Sequence, residues 1–256
     1  MVFDMIKNEL PILERDTDQQ AVIMPGHGWD YQFPERAVMM YMDDEIHAYA
    51  EAHGAVMIGE FDSIMRIAPV YRLVHNGVEL ALVQAPLGGP AAVMFMEQLW
   101  AGGARKIISC GCCGALLEDT AGTYYIPTSA IRQEGTSFQY MEPSKEVEAD
   151  EAAVQAIERA LDKAGEAHCR CKTWTTDCFY RETKDMVNQR KSEGAAVVEM
   201  ECASTAACAK FRGIQFAQLL FTADTLANVE EHDTRNWAKE CFLNALELAL
   251  DAATEL

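Results

Sequence analysis

AAVVEMECASTAACAKFRGIQFAQLLFTADTL (residues 195–226) is the stretch whose reading decides the fold. It opens on a short apolar run, 195–200, and continues to a second, 214–222, each of strand length and rich in residues that favour strands. Each run ends on acids: Glu199 and Glu201 flank Met200 after the first, and Asp224 follows the second. In open α/β sheets, polar groups beyond the carboxyl ends of strands are where ligands bind.

Working outward, runs 21–24, 78–85 and 106–110 also read as strands. Helices are predicted between several of them. Residues 34–53 carry Pro34 in the first turn and place Val38, Tyr41, Met42, Ile46 and Tyr49 on one face. Residues 90–101 end at Gly102-Gly103, and residues 149–164 are bounded by Gly165. From Thr234 onward, Phe242, Ala245, Leu246, Ala249 and Ala253 form a core-facing stripe. This alternation predicts an α/β fold with a largely parallel sheet covered by helices on both faces. No linker or repeat divides the chain, so residues 1–256 read as a single domain.

The chain has 21 Lys+Arg against 40 Asp+Glu, a net charge of −19. That balance argues against nucleic-acid and anionic-membrane partners, both of which are held by clustered basic residues. An anionic substrate would need a local positive site built against the protein's own field. No apolar leader is visible at the N-terminus, and the longest uncharged run, between Glu79 and Glu97, is broken by Pro86, Gly88, Gly89 and Pro90. A soluble, cytoplasmic protein is expected. Nine scattered cysteines make a poor disulfide framework and suit a reducing compartment. Cys110, Cys112 and Cys113, with Cys169 and Cys171, read as small apolar residues of strand ends; no metal site is expected from them.

Three glycine clusters follow predicted strands: Pro25-Gly26, residues 87–90 and residues 111–114. Glycine lets backbone amides approach a ligand closely, so the clusters suggest a small polar or anionic ligand. Glu199 and Glu201 point to one side of a strand and Met200 to the other. A carboxylate accepts both hydroxyls of a vicinal diol while a thioether packs on a sugar ring; the same two acids also suit a helix cap. Asp224 suits a general acid or an N-cap.

Together these segments resemble the nucleoside phosphorylase/uridine phosphorylase family. The matching stretches are VIMPG (22–26), APLGGPAAV (85–93), SCGCCGAL (109–116), AIRQEGTSF (130–138), TWTTDCFYRET (173–183), VVEMECAS (197–204) and FTADTL (221–226). AIRQEGTSF and TDCFYRET are similar to the uridine-phosphorylase-like branch. The resemblance implies a three-layer α/β/α fold with a mixed, largely parallel central sheet, and homo-oligomers (dimer or hexamer) whose sites are completed by a neighbour. It implies cleavage of an N-glycosidic bond with inorganic phosphate as co-substrate and no further cofactor. By the same resemblance Glu201, Glu199, Met200 and Thr136 would hold the ribose. Phe179, Thr176, Arg181 and Asp224 would meet the base. Gly26, Gly111, Cys112, Cys113 and the neighbour-reaching Arg66 would surround the phosphate.

The phosphate motifs depart from the family pattern. PGDPxR after the first strand is matched to PGHGWD, which puts Asp30 at the arginine, and RxGTTG reads SCGCCG, with Ser109 at the arginine and Cys112 at the threonine. The uracil-reading Gln-x-Arg after FY is absent, whereas Asp224 stands where purine-handling members keep an acid. Related nucleosidases of this fold use water and carry an acid near the first turn. Asp30 is then the candidate base, and a phosphate-independent nucleosidase or a non-catalytic nucleoside binder are the alternative readings.

Overall fold

Ala37-Val38-Met39-Met40 are fully buried on both faces and form the central strand of the sheet. A strand apolar on both sides needs helices on both sides. The computed structural model describes residues 5–64 and 66–256. The first four residues, on which the leaderless reading partly rests, lie outside the described residues.

In chain order the elements are β1 (Arg36–Met40), α1 (Glu45–Ala52), β2 (Val56–Asp62), β3 (Ile67–His75), β4 (Val78–Gln84), α2 (Gly89–Ala101), β5 (Lys106–Ala115) and β6 (Tyr124–Gln133). There follow β7 (Glu146–Glu148), α3 (Glu151–Ala164), β8 (His168–Thr176), α4 (Lys184–Ser192), β9 (Ala195–Glu199), α5 (Cys202–Arg212), β10 (Gln215–Thr225) and α6 (Phe242–Glu255). The sheet is mixed. Its centre, β4-β1-β5-β10, is parallel throughout. The β2-β3-β4 meander extends one side antiparallel. On the other side β10, β6, β8 and β9 lead back to β5 and close a ring. Helices α1, α3 and α6 cover one face and α2 and α5 the other, giving the α/β/α layering.

Three sequence expectations are corrected. Residues 21–24 are not a strand: Val22 and Ile23 are exposed and the segment lies outside the sheet. Residues 34–53 are not one helix, since β1 occupies their first half and α1 their second. The helical spacing of apolar residues there was a coincidence of four consecutive core residues with an amphipathic helix. Residues 111–114 are not a turn but the end of β5, in ladder with Leu220 to Asp224 of β10.

The PGHGWD segment packs at the C-terminal end of α2. The Gly26 amide donates to Gln98 Oε1 (3.0 Å), and Trp29, Tyr31 and Phe33 run as an aromatic ladder onto Gly102. A Cβ at Gly102 would overlap the Phe33 ring. Gly102→Ala is therefore expected to cost about 1–3 kcal/mol by overpacking, read as a fall of several degrees in Tm; unchanged Tm would contradict this packing.

Candidate active site

The strand ends bring two carboxylates together in different roles. Glu199 ends β9 and accepts four hydrogen bonds: from Thr173 Oγ1 (3.2 Å), Thr175 Oγ1 (2.6 Å) and the amides of Glu201 (2.7 Å) and Cys202 (2.6 Å). The two amides open α5, so Glu199 caps that helix, where a negative charge is favoured. Glu201 turns instead toward the start of α2 and, among the described residues, accepts the Gly88 amide (2.6 Å). Gly88 has φ +90°, a conformation costly for a residue with a Cβ. Gly89 follows because a Cβ there would collide with Ser204 Oγ. Both carboxylates are about 5% exposed. Burial pushes both upward; the Glu199 charge adds to the rise at Glu201, which reaches about 8. Four donors favour ionised Glu199, so at neutral pH the proton of the pair resides on Glu201.

Asp224 stands at a register shift near the end of β10, opposite Gly114, where a Cβ would approach its Oδ1 to 3.1 Å. His232 Nε2 lies 2.7 Å from Asp224 Oδ2. Burial raises Asp224, and the His232 contact works against that rise. Phe179, Glu182, Asp224, Leu226 and His232 line a cavity of about 350 Å³. Burial, and then Asp224, push Glu182 up to about 7. Gly114 of β5 pairs with both Asp224 of β10 and Val198 of β9, so Glu199, Glu201 and Asp224 stand at the same end of the sheet.

Arg235 to Ala238 all have positive φ, a conformation that costs non-glycine residues energy and needs anchoring. The anchor is Arg235, buried against Asp119 at 2.7 Å. This turn sets Trp237 beside Phe179 and His232, with ring centroids 6.5 and 6.0 Å apart.

The other expected residues divide. Met200 is half-buried between the two acids, and Thr136 lies near Gly89. Phe179 reaches the cavity, but Thr176 is buried, accepting the Cys178 amide, and Arg181 is exposed. Gly111 and Cys113 are strand residues, and the Cys113 thiol donates inward to Phe221 O. Arg66 is tied to the end of β4, donating to Gln84 Oε1 (2.6 Å), while Gln84 Nε2 donates to Met42 O (2.8 Å). Gly26 and Asp30 are at the opposite end of α2 from Gly88, so they do not meet the carboxylates. The turn that truly follows the first strand is Tyr41-Met42-Asp43-Asp44-Glu45, which holds neither glycine nor arginine. Among the described residues no three His, Cys, Asp or Glu side chains gather as a metal site.

Sequence reasoning missed His232, Trp237 and Glu134. Glu134 is buried and accepts Ser204 Oγ (2.6 Å) and the Ser137 amide (2.9 Å), locking the loop that carries Thr136. Only Glu134 had a signal, inside AIRQEGTSF.

Comparison with known proteins identifies the family. The chain is 26% identical over 190 residues to the guanosine phosphorylase of Halorubrum lacusprofundi, covering 71% of this chain and 78% of that one. A DeoD-type purine nucleoside phosphorylase of Bacillus cereus is 26% identical over 185 residues, with the same coverage. Two solved structures share the fold. Uridine phosphorylase from Vibrio fischeri has a TM-score of 0.75 at 20% identity, covering 88% of this chain and 92% of that one. AMP nucleosidase from Bacteroides thetaiotaomicron has 0.70 at 24%, covering 87% and 88%. The family model matches residues 35–255, leaving PGHGWD outside it. With a match over most of its length, the chain belongs to the phosphorylase superfamily.

Proposed function

We propose that this protein cleaves the N-glycosidic bond of a purine-type nucleoside, with water as the acceptor. The observation that supports the reading is that one end of the sheet carries both Glu201, which accepts the Gly88 amide, and Asp224, a buried acid lining the cavity. Glu201 is suited to accept both hydroxyls of a ribose, with Met200 against the ring. Asp224, oriented by His232, is suited to protonate a departing purine. The C–N electron pair leaves with the base, and the oxocarbenium-like sugar is held over the carboxylates.

Water is favoured over phosphate by charge. The true first turn is acidic, and Ser109, at the expected arginine, is fully buried. A dianion would be opposed by the charge of the ionised Glu199. Within the turn, Asp43 accepts the Glu45 amide (3.0 Å) and Asp44 lies 3.9 Å from His47. In this reading a carboxylate of the exposed run 43–45 takes the proton from water, the role first assigned to Asp30. Phosphate as acceptor is the second reading. It is supported by the phosphorylases among the relatives and by Arg66, linked through Gln84 to Met42, which in a homo-oligomer could serve a neighbouring site. Neither reading calls for a cofactor. Among the described residues no helix is long and apolar enough to cross a membrane.

Base release from guanosine or inosine in phosphate-free buffer, yielding free pentose, is expected; release that rises strictly with phosphate supports the second reading, and no release from a broad nucleoside panel leaves binding alone. Asp224→Asn is expected to lower purine release by about a hundredfold or more, and Asp30→Asn to leave it unchanged. Wild-type purine release from Asp224→Asn would remove the acid assignment. The raised Glu201 also links stability to pH: the folded state holds its proton more tightly than the unfolded chain, from the ordinary 4.5 up to about 8. Its stabilising contribution is therefore present at low pH and lost across that window. Relative to Glu201→Gln, the wild-type Tm should fall progressively between about pH 5 and about pH 8; a difference constant with pH would contradict the shared proton.

A further inference from the structure

The cavity beside Asp224 holds more negative charge than the proposed chemistry uses. Glu182 lines it as well, and nothing in the reaction above gives this second acid a task. A single 3₁₀ turn, Phe179–Arg181, places it there: the Glu182 amide donates to Phe179 O (3.3 Å). Thr183 then caps α4 by accepting the Met186 amide (3.4 Å). The Glu182 carboxylate is half-buried and, among the described residues, accepts no hydrogen bond and pairs with no cation. The two basic side chains on the cavity wall are engaged elsewhere, Lys184 with Glu230 and His232 with Asp224. Glu182 and Asp224 therefore oppose each other with no donor on Glu182 to relieve it, which is why Glu182 rises to about 7. The wall also carries the Phe179 ring, with Trp237 behind it, and an aromatic face attracts a cation.

Resting on the nucleoside reading of this cavity, we propose that it accepts purine nucleosides whose base carries a fixed positive charge, alkylated at a ring nitrogen, and that Glu182 selects them. The flat cation lies against Phe179, and both carboxylates of the wall oppose its charge. A neutral purine gains the stacking alone. Release needs no acid here. The C–N electron pair passes to the base ring and neutralises it as the water oxygen bonds to the anomeric carbon. The proton lost by water goes to the same carboxylate run, 43–45, as in the neutral reaction. Asp224 keeps its charge instead of donating a proton.

Two probes separate charge from shape: 7-methyladenosine carries the charge, and 7-methyl-7-deazaadenosine has the same outline without it. Tryptophan fluorescence on rapid mixing, through Trp237 beside Phe179, reads binding before turnover. In phosphate-free buffer the wild type is expected to bind the charged probe about tenfold or more tighter than the neutral one. Glu182→Gln should bring the two within about twofold, with the neutral probe bound as by the wild type. Equal affinities in the wild type, or an undiminished preference in Glu182→Gln, would overturn the proposal. Asp224→Asn should release the alkylated base with kcat within about tenfold of wild type, although it loses neutral purine release; equal loss of both would overturn the acid-free departure. Failure of the hydrolytic reading is distinguishable, because it shows as release that requires phosphate. Binding of neither probe would overturn the nucleoside reading together with this one.

Discussion

Two carboxylates buried two residues apart, Glu199 and Glu201, impose the constraint on which the rest of the cleft depends. Like charges in a poorly solvated site cannot both be held without donors. The chain supplies four donors to Glu199, including the two amides that open α5, and one to Glu201. The asymmetry makes one acid structural and leaves the other with acceptor capacity to spare. Much of the surrounding sequence serves this division. Thr173 and Thr175 on β8 face Glu199, Gly88 adopts a conformation that aims its amide at Glu201, and Gly89 gives way to Ser204.

The same constraint bears on the nucleophile. A net charge of −19 is compatible with an anionic substrate only where cations are gathered locally. Here the first turn is acidic, and Ser109 is sealed beneath the sheet surface. A neutral nucleophile meets no such opposition. The proposed purine-type substrate rests on Asp224, which burial keeps raised and whose carboxylate lies 2.7 Å from His232 Nε2.

Much of this was legible from the sequence. Strands β4, β9 and β10, helices α2 and α3, and the placement of Glu199, Glu201 and Asp224 at strand ends followed from apolar runs bounded by acids and glycines. The errors have physical causes. Val22 and Ile23 are as apolar as any strand residue, but burial, which periodicity cannot see, is what makes a strand. That one misplacement moved the first turn from residues 41–45 to 25–30, and so favoured Asp30. Glycines 111 and 114 looked like a turn because glycine has more than one use; in β5 they make room for the side chains of Tyr41 and Asp224. His232 and Trp237 were invisible because they reach Asp224 and Phe179 from a segment whose left-handed turn, 235–238, is held by the Arg235–Asp119 pair, 116 residues apart in sequence.

The central claim is that Glu201 holds a proton in the free protein and gives it up to receive a vicinal diol. Calorimetry of ribonucleoside binding at pH 7, repeated in buffers of different ionisation enthalpy, counts that proton directly. The account predicts release approaching one proton per ribonucleoside bound, and none from Glu201→Gln or on binding the 2′-deoxynucleoside. Binding without proton release, at equal affinity for the ribo and 2′-deoxy forms, would contradict it.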